Sequence, residues 1–183
     1  MDKFKNKYRI PSARLQNWDY GSPGLYFITI CTKDRKHYFG EIENDEMILN
    51  QLGLIVNSEW EKTPAIRPDM NLELEEFITM PNHFHGIIMI GENRFNSCRD
   101  AMHGVSTAAT TTANKFGPQS KNLGSIMRGF KSSVTTASKK LNIEFGWQER
   151  FHDHIIRDQN ELIRISNYIK TNPQNWKDDK FFN

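Results

Sequence analysis

Residues 71–90 read NLELEEFITMPNHFHGIIMI, and the fold is predicted outward from this segment. It contains two strand-like runs, 71–79 and 83–90. Only Met80-Pro81-Asn82 separates them. The short connection predicts that the two strands pair as an antiparallel hairpin.

Upstream of this hairpin the sequence predicts one strand and one helix. Residues 25–32, LYFITICT, are aromatic and β-branched and follow the turn signal GSPG at 21–24, which indicates a strand. Residues 49–62 carry apolar side chains at helical spacing. These are Leu52, Ile55, Val56 and Trp60.

Downstream of the hairpin we expect a helix, a strand and a last helix. Residues 123–141 have an apolar stripe at helical spacing, with most basic side chains off the stripe. Residues 145–156, FGWQERFHDHII, are predicted to form a strand. Asp158 and Glu161 resemble a capping box for a last helix that Pro173 ends.

The order strand, helix, strand, strand, helix, strand, helix predicts the fold class. It is the split βαβ, ferredoxin-like layout of an α+β protein, with an antiparallel sheet, helices on one face and an extra C-terminal helix. We predict a single domain over residues 1–183. Residues 92–122 are rich in Ser, Thr, Ala, Asn and Gly without periodic apolar positions, which predicts a flexible insertion.

The net charge of +2 hides an uneven distribution of charge along the chain. Residues 1–40 hold eight basic and three acidic residues, and residues 101–143 hold six basic residues and no acid. Residues 41–79 hold ten acids against Lys62 and Arg67. Two positive stretches that share one face are typical of a protein with a polyanionic partner. Solvated surface charge is the alternative interpretation.

The composition also bears on the compartment. Cys31 and Cys98 are too few and too unpatterned for a disulfide framework or a zinc knuckle. No apolar run is as long as a bilayer span, and the N-terminus lacks the apolar core of a secretory signal. We therefore expect an intracellular protein in a reducing compartment.

His83 and His85 are the first candidate site. Side chains alternate between the faces of a strand, so the two imidazoles point the same way and Phe84 points the other way. Two neutral ring nitrogens held on a sheet are a good half of a metal site. The alternative is a pair of hydrogen-bonded histidines with no ligand.

Tyr168 and Asn172 are the second candidate site. They lie four residues apart on one side of the last helix, at the edge of its apolar stripe, and so can face the sheet. The alternatives are a tyrosine that packs its ring while its hydroxyl meets water and an asparagine that caps the helix before Pro173.

A second histidine pair, His152 and His154, also lies on a predicted strand. The residue between them, Asp153, is charged rather than apolar. We interpret His152 as a surface residue.

Five blocks of this sequence, in order, resemble the REP-associated tyrosine transposases, a branch of the HUH single-tyrosine transposases. The resemblance spans nearly the whole chain. The blocks are RIPSARLQNWDYGSPGLYFITICT (9–32), LEEFITMPNHFHGIIMI (74–90), LGSIMRGFKSSVT (123–135), WQERFHDHIIRDQNEL (147–162) and YIKTNPQNW (168–176).

The resemblance implies a role for each candidate site residue. His83 and His85 match the two histidines of the HUH motif, Tyr168 matches the nucleophile, and Asn172 matches a further metal ligand one helical turn later. Of the second histidine pair only His154 matches a usual residue type, which implies a partner that hydrogen-bonds the metal ligands. The implied cofactor is Mg²⁺ or Mn²⁺, which suits imidazole, amide and phosphate ligands. The implied reaction is nicking and strand transfer of single-stranded DNA through a 5′-phosphotyrosine.

The implied partner is single-stranded or hairpin DNA of the REP-like class. As DNA contacts we select basic residues from the two positive stretches and the last helix. They are Arg14, Arg128, Lys131 and Lys170. The resemblance also implies a prokaryotic, cytoplasmic protein associated with the nucleoid, as a monomer or homodimer.

Three other functions stay open. A non-catalytic ferredoxin-like nucleic-acid-binding module, similar to RRM domains, would show stacking aromatics where this sheet shows His83 and His85. A small metal-dependent hydrolase would need further carboxylate ligands, and the sequence places none beside the histidines. HUH replication initiators share the same chemistry, but the block match favours the transposase branch.

Overall fold

A computed structural model of the chain describes residues 18–97 and 120–182. In chain order the strands are β1 (Gly24–Cys31), β2 (Gly40–Glu43), β3 (Glu46–Leu49), β4 (Leu72–Met80), β5 (His83–Ile90) and β6 (His152–Ile156). The α-helices are α1 (Gln51–Glu61), α2 (Thr63–Ile66), α3 (Leu123–Lys140) and α4 (Gln159–Lys170). Short 3-10 segments lie at Lys33–Arg35, Pro68–Met70 and Trp176–Asp178.

Four strands form the central sheet in the order β4-β5-β1-β6, and all its pairings are antiparallel. This is the predicted ferredoxin-like order. Its middle strands, β1 and β5, are the first and the third of the four sheet strands along the chain. The predicted hairpin of β4 and β5 is therefore confirmed. None of the helices in the described ranges is long and apolar enough to cross a membrane.

One face of the sheet packs against α1 and α3. Phe84 of β5 contacts Trp60 of α1 and Phe130 of α3, with ring centroids 4.9 Å and 5.3 Å apart. A Cβ on Gly86 would lie 2.8 Å from the Phe84 ring and 2.9 Å from the Trp60 ring, so only glycine fits between them. Truncating Trp60 to alanine would cost about 3–5 kcal/mol of stability.

The opposite face of the sheet packs against α4. Ile165 and Ile169 of this helix form a buried cluster with Ile87 and Ile156. Asp158 caps α4, because its side chain accepts a hydrogen bond from the backbone N–H of Glu161. Burial of this apolar stripe fixes α4 over the strand that carries the histidines.

The sequence analysis missed the hairpin of β2 and β3. Its two-residue turn holds Asn44 and Asp45 in the left-handed region, with φ of 50° and 64°. Asparagine and aspartate tolerate that conformation better than most residues. The alternation in GEIE and EMIL on either side was the available signal.

The predicted strand 145–156 was too long at its start. Only His152–Ile156 is a strand, while Trp147 makes an isolated bridge with Thr32. Phe145 and Trp147 instead pack their rings on Phe39, with centroids 5.5 Å and 5.4 Å away. Core packing of these two aromatics overrides the local strand pattern.

The two ends of the predicted insertion at 92–122 pack on the core. Asn96 donates to the carbonyl oxygens of Gly21 and Gly91 at 3.2 Å and 3.0 Å. Asn122 caps α3 by accepting from the Ser125 N–H at 3.0 Å. The rest of that range, 98–119, lies outside the described residues, as do Arg14 and Cys98.

Candidate metal and tyrosine site

His83 and His85 lie side by side on the face of β5 that α4 covers. Their ring centroids are 4.5 Å apart, and the two residues are 0% and 1% exposed. In the sheet register His85 is opposite Thr29 and His83 is opposite Cys31. The period-2 alternation thus brings the two imidazoles together, as predicted.

The His83 ring has one partnered and one unpartnered nitrogen. Nδ1 lies 2.9 Å from Asn82 Oδ1. Nε2 is buried and has no hydrogen-bond partner in the described chain. Burial lowers the pKa of His83 to about 3, and the positive charges of Lys180 and Arg35 add to the effect. The ring is therefore neutral at physiological pH, as a metal ligand must be.

The His85 ring links the sheet to α4. Its Nδ1 lies 2.9 Å from Thr29 Oγ1, and its Nε2 lies 3.2 Å from Tyr168 Oη. Complete burial holds the pKa of His85 well below its usual value, and the neighbouring His83 lowers it further. This imidazole is also neutral and can act as an acceptor or a ligand.

Tyr168 lies at the border of α4 and points its hydroxyl at the histidines. The residue is 38% exposed, and its ring meets the Phe27 ring edge-on at 6.2 Å. Its hydroxyl donates to Asp179 Oδ2 at 3.2 Å. Burial raises the pKa of Tyr168 to about 12, and the negative charge of Asp179 adds to this. The Tyr168 hydroxyl therefore contacts His85 and Asp179, and the alternative in which it contacts only solvent does not describe it.

Asp179 is the site residue that sequence reasoning missed. Its ligand oxygen and a ring nitrogen from each of His83 and His85 lie within 4.8 Å of one another. The expectation that no carboxylate lies beside the histidines was wrong. The reason is tertiary: the chain turns back after α4 through Trp176–Asp178 and brings Asp179 to residues far away in sequence. No local pattern signals such a contact.

Asn172 is 1% exposed and contacts the Asp179 carboxylate. Its Nδ2 donates to Asp179 Oδ2 at 3.0 Å, while its Oδ1 has no hydrogen-bond partner in the described chain. The C-cap residue of α4 is Thr171. The side chain of Asn172 therefore bonds across to the C-terminal segment, and the simple capping interpretation does not describe it.

These donors fit a divalent cation. A ring nitrogen from each histidine and an Asp179 oxygen lie within reach of one cation, and two buried atoms, His83 Nε2 and Asn172 Oδ1, lack partners among the described residues. Leaving such groups unpaired costs about 1–3 kcal/mol each, which a bound cation would recover. Two imidazole nitrogens with amide and carboxylate oxygens suit Mg²⁺ or Mn²⁺.

The second histidine pair does not join this group. His154 is half exposed, and its Nε2 pairs with Glu161 Oε1 at 2.7 Å. Glu161 also accepts from the Arg157 N–H, and this bond is the main cause of its lowered pKa. His152 is exposed on β6.

The basic DNA-contact candidates differ in their surroundings. Arg128 is exposed on α3. Lys131 is partly buried, and its Nζ donates to the carbonyl oxygens of Gln148 and Glu149. Lys170 pairs with Glu76 of β4 at 2.9 Å. Lys131 and Lys170 therefore already have protein partners.

The fold and the site together define a class of protein. It is the class of ferredoxin-like α+β proteins that set two sheet histidines against a tyrosine on the last helix. The chain is 40% identical to a Haemophilus influenzae protein of uncharacterized function over 172 residues, which are 93% of this chain and 92% of that protein. No protein-family model matches the chain.

Two further comparisons find similarity to REP-associated tyrosine transposases. A second Haemophilus influenzae protein, named "Putative REP-associated tyrosine transposase", is 27% identical over 156 residues, which are 85% of this chain and 73% of that protein. A solved REP-associated tyrosine transposase bound to a REP hairpin shares the fold, with a TM-score of 0.54 and 18% identity over 89% of this chain and 74% of its own. The chain is thus similar in sequence to a protein named as a REP-associated tyrosine transposase and shares the fold of a solved one.

Proposed function

We propose that this chain is a metal-dependent enzyme that nicks single-stranded DNA and rejoins it through a 5′-phosphotyrosine on Tyr168. The observation that supports this best is the position of the Tyr168 hydroxyl, 3.2 Å from His85 Nε2 and 3.2 Å from Asp179 Oδ2. A REP-like hairpin is the proposed substrate, because the solved REP-associated tyrosine transposase with the same fold was bound to a REP hairpin.

His83, His85, Asn172 and Asp179 would hold the cation, which we propose to be Mg²⁺ or Mn²⁺. When bound, it would neutralise charge on the phosphate oxygens of the scissile group. The protein itself would hold these four side chains in place. Three of the four residues are almost completely buried, so their side chains are held in direction before DNA arrives.

Tyr168 is the proposed nucleophile. Its raised pKa of about 12 keeps the hydroxyl protonated at neutral pH, so the proton must leave as attack proceeds. Asp179 Oδ2 already accepts this proton in a hydrogen bond. Tyr168 Oη bonds to phosphorus and the bond from phosphorus to the 3′ oxygen breaks. The proton passes through Asp179 to that oxygen, which leaves as a hydroxyl.

The covalent product retains the energy of the phosphodiester bond. A 3′-hydroxyl can attack the phosphotyrosine and reverse the step, so strands can be exchanged without ATP. A hydrolase would lose that energy to water. Strand transfer is therefore the use that best explains a tyrosine at this position.

The proposed DNA path crosses the basic outer side of α3. Arg128 is a proposed phosphate contact because it is exposed on this helix. Lys131 and Lys170 would first have to release their present partners. Arg14 stays a proposed contact from outside the described residues, and we also propose a single catalytic domain with an insertion at about 92–122.

Asp179 favours one second candidate, a metal-dependent phosphodiester hydrolase, because it provides the carboxylate that such an enzyme needs. In that enzyme a water would attack and Tyr168 would have no chemical task. The non-catalytic RRM-like alternative is weaker. RRM domains stack bases on an exposed sheet face, whereas α4 covers the face that carries His83 and His85.

Incubation with end-labelled hairpin DNA and Mn²⁺, followed by denaturing electrophoresis, tests the proposal. We expect a covalent protein–DNA adduct from the natural chain and from Tyr38→Phe, a matched control whose ring packs beside the main core. Tyr168→Phe should give none, and His83→Ala or His85→Ala should lose metal-dependent cleavage. Cleavage by Tyr168→Phe without an adduct would identify the hydrolase instead.

A further inference from the structure

Asn82 is a buried polar residue between β4 and β5 that the proposed reaction does not use directly. It is 0% exposed. Its side-chain amide contacts two parts of the site: Oδ1 lies 2.9 Å from His83 Nδ1, and Nδ2 donates to the Phe181 carbonyl oxygen at 2.8 Å.

These two contacts fix the orientation of the amide. A carbonyl oxygen can only accept, so the NH₂ group of Asn82 must face Phe181. Its Oδ1 must then face His83, where it can only accept, so His83 Nδ1 carries the proton. In this tautomer Nε2 holds a lone pair, and Nε2 is the nitrogen that is buried without a partner in the described chain.

The Asn82 amide is also linked to the Asp179 carboxylate, through Phe181. The backbone N–H of Phe181 donates to Asp179 Oδ1 at 2.7 Å, so Asn82 holds the residue that orients Asp179. Asp179 Oδ2 is left to accept from Tyr168 and Asn172. One side chain thus touches a histidine ligand directly and the carboxylate through a single residue.

We propose that Asn82 is a positioning residue that selects the tautomer of His83 and orients Asp179 toward the cation. This inference rests on the proposed function, because it concerns the same metal site. The rival explanation is that Asn82 only ties the C-terminal segment to the sheet. Arg35 makes a tie of that kind, since it donates to the Lys180 carbonyl oxygen at 2.9 Å.

Two substitutions separate the two contacts. Asn82→Leu removes both hydrogen bonds at similar volume. Asn82→Asp keeps an acceptor for His83 Nδ1 but loses the donor to Phe181. Asn96→Leu is the matched control, because Asn96 is also a buried asparagine that donates to two backbone carbonyl oxygens, those of Gly21 and Gly91.

The first measurement is the His83 tautomer in the metal-free protein, from two-bond ¹H–¹⁵N NMR spectra. The natural chain and Asn82→Asp should show a proton on Nδ1, and Asn82→Leu should show a substantial population with the proton on Nε2. The second measurement is Mn²⁺ affinity by electron paramagnetic resonance. Asn82→Leu should bind about 10–100-fold more weakly, the usual effect of losing a hydrogen bond behind a metal ligand. Asn96→Leu should bind normally.

An unchanged tautomer in Asn82→Leu, or Mn²⁺ binding as tight as in Asn96→Leu, would overturn the inference. If Asn82→Leu does not fold, Asn82→Asp decides, because a proton on Nε2 in that variant would contradict the assignment equally well. Neither readout involves DNA. A failure of adduct formation in the natural chain would overturn the proposed function alone and would leave the tautomer result standing.

Discussion

Asn172 donates its Nδ2 hydrogen to Asp179 Oδ2 at 3.0 Å, which ties α4 to the C-terminal segment beside the candidate metal site. The amide oxygen of Asn172 is left buried and without a partner among the described residues. Replacing Asn172 with Ala should therefore raise the Mn²⁺ concentration needed for half-maximal cleavage, with activity largely recovering at saturating metal. A metal titration beside a melting curve checks this. A lower melting temperature with an unchanged metal midpoint would remove Asn172 from the site.

Asp179→Asn should weaken Mn²⁺ binding by more than about tenfold, because a neutral amide replaces a carboxylate that lies beside both histidines. Calorimetric titration of Mn²⁺ in the absence of DNA measures this. Asp178→Asn removes the same charge from the neighbouring exposed residue and is the matched control. Equal losses of Mn²⁺ affinity in the two variants would mean that Asp179 contributes only its negative charge and is not a ligand.

The buried histidines should make the metal-free protein sensitive to acid. The pKa of His83 is about 3 in the folded state, against about 6.5 in an unfolded chain. Between those values the unfolded chain binds a proton that the folded chain does not, so stability falls as the pH is lowered from 6.5 toward 3. The slope is up to about 1.4 kcal/mol per pH unit for each such group.

The free energy of unfolding, measured in EDTA at several pH values, tests the predicted loss of stability at low pH. His83→Gln should lose less stability than the natural chain between pH 6.5 and 4. His152→Gln changes an exposed histidine and should follow the natural chain. Parallel curves for all three proteins would show that His83 is not the group responsible.

Arg128 and Lys131 should behave differently, although the sequence suggested the same role for both. Arg128→Gln should reduce the slope of log affinity for DNA against log salt by about 1, because one phosphate contact is lost. Lys131→Gln should instead lower the melting temperature, since Lys131 binds the Gln148 and Glu149 carbonyl oxygens. Affinity measurements from low to moderate salt and melting curves check both. A larger salt effect for Lys131 would reverse the assignment.

The sequence was sufficient where the signal is local and periodic. Alternation along 83–90 predicted that His83 and His85 share a face, and helical spacing placed Tyr168 at the border of the last helix. It was insufficient where packing decides. Asp179 reaches the histidines only because the chain folds back after α4, and the aromatics at 145 and 147 leave the predicted strand because the core holds them.

The alternation along β5 also separates two kinds of damage. Phe84, Gly86 and Ile88 face the main core, whereas His83 and His85 face the candidate metal site. Substitutions at successive positions of β5 should therefore cause two different defects, loss of folded protein or loss of activity. At the even positions the cell would contain less folded protein, and at the two histidines it would contain normal amounts of an inactive one. Substitutions on one face of β5 should therefore change the amount of folded protein, and substitutions on the other face should change the proposed activity.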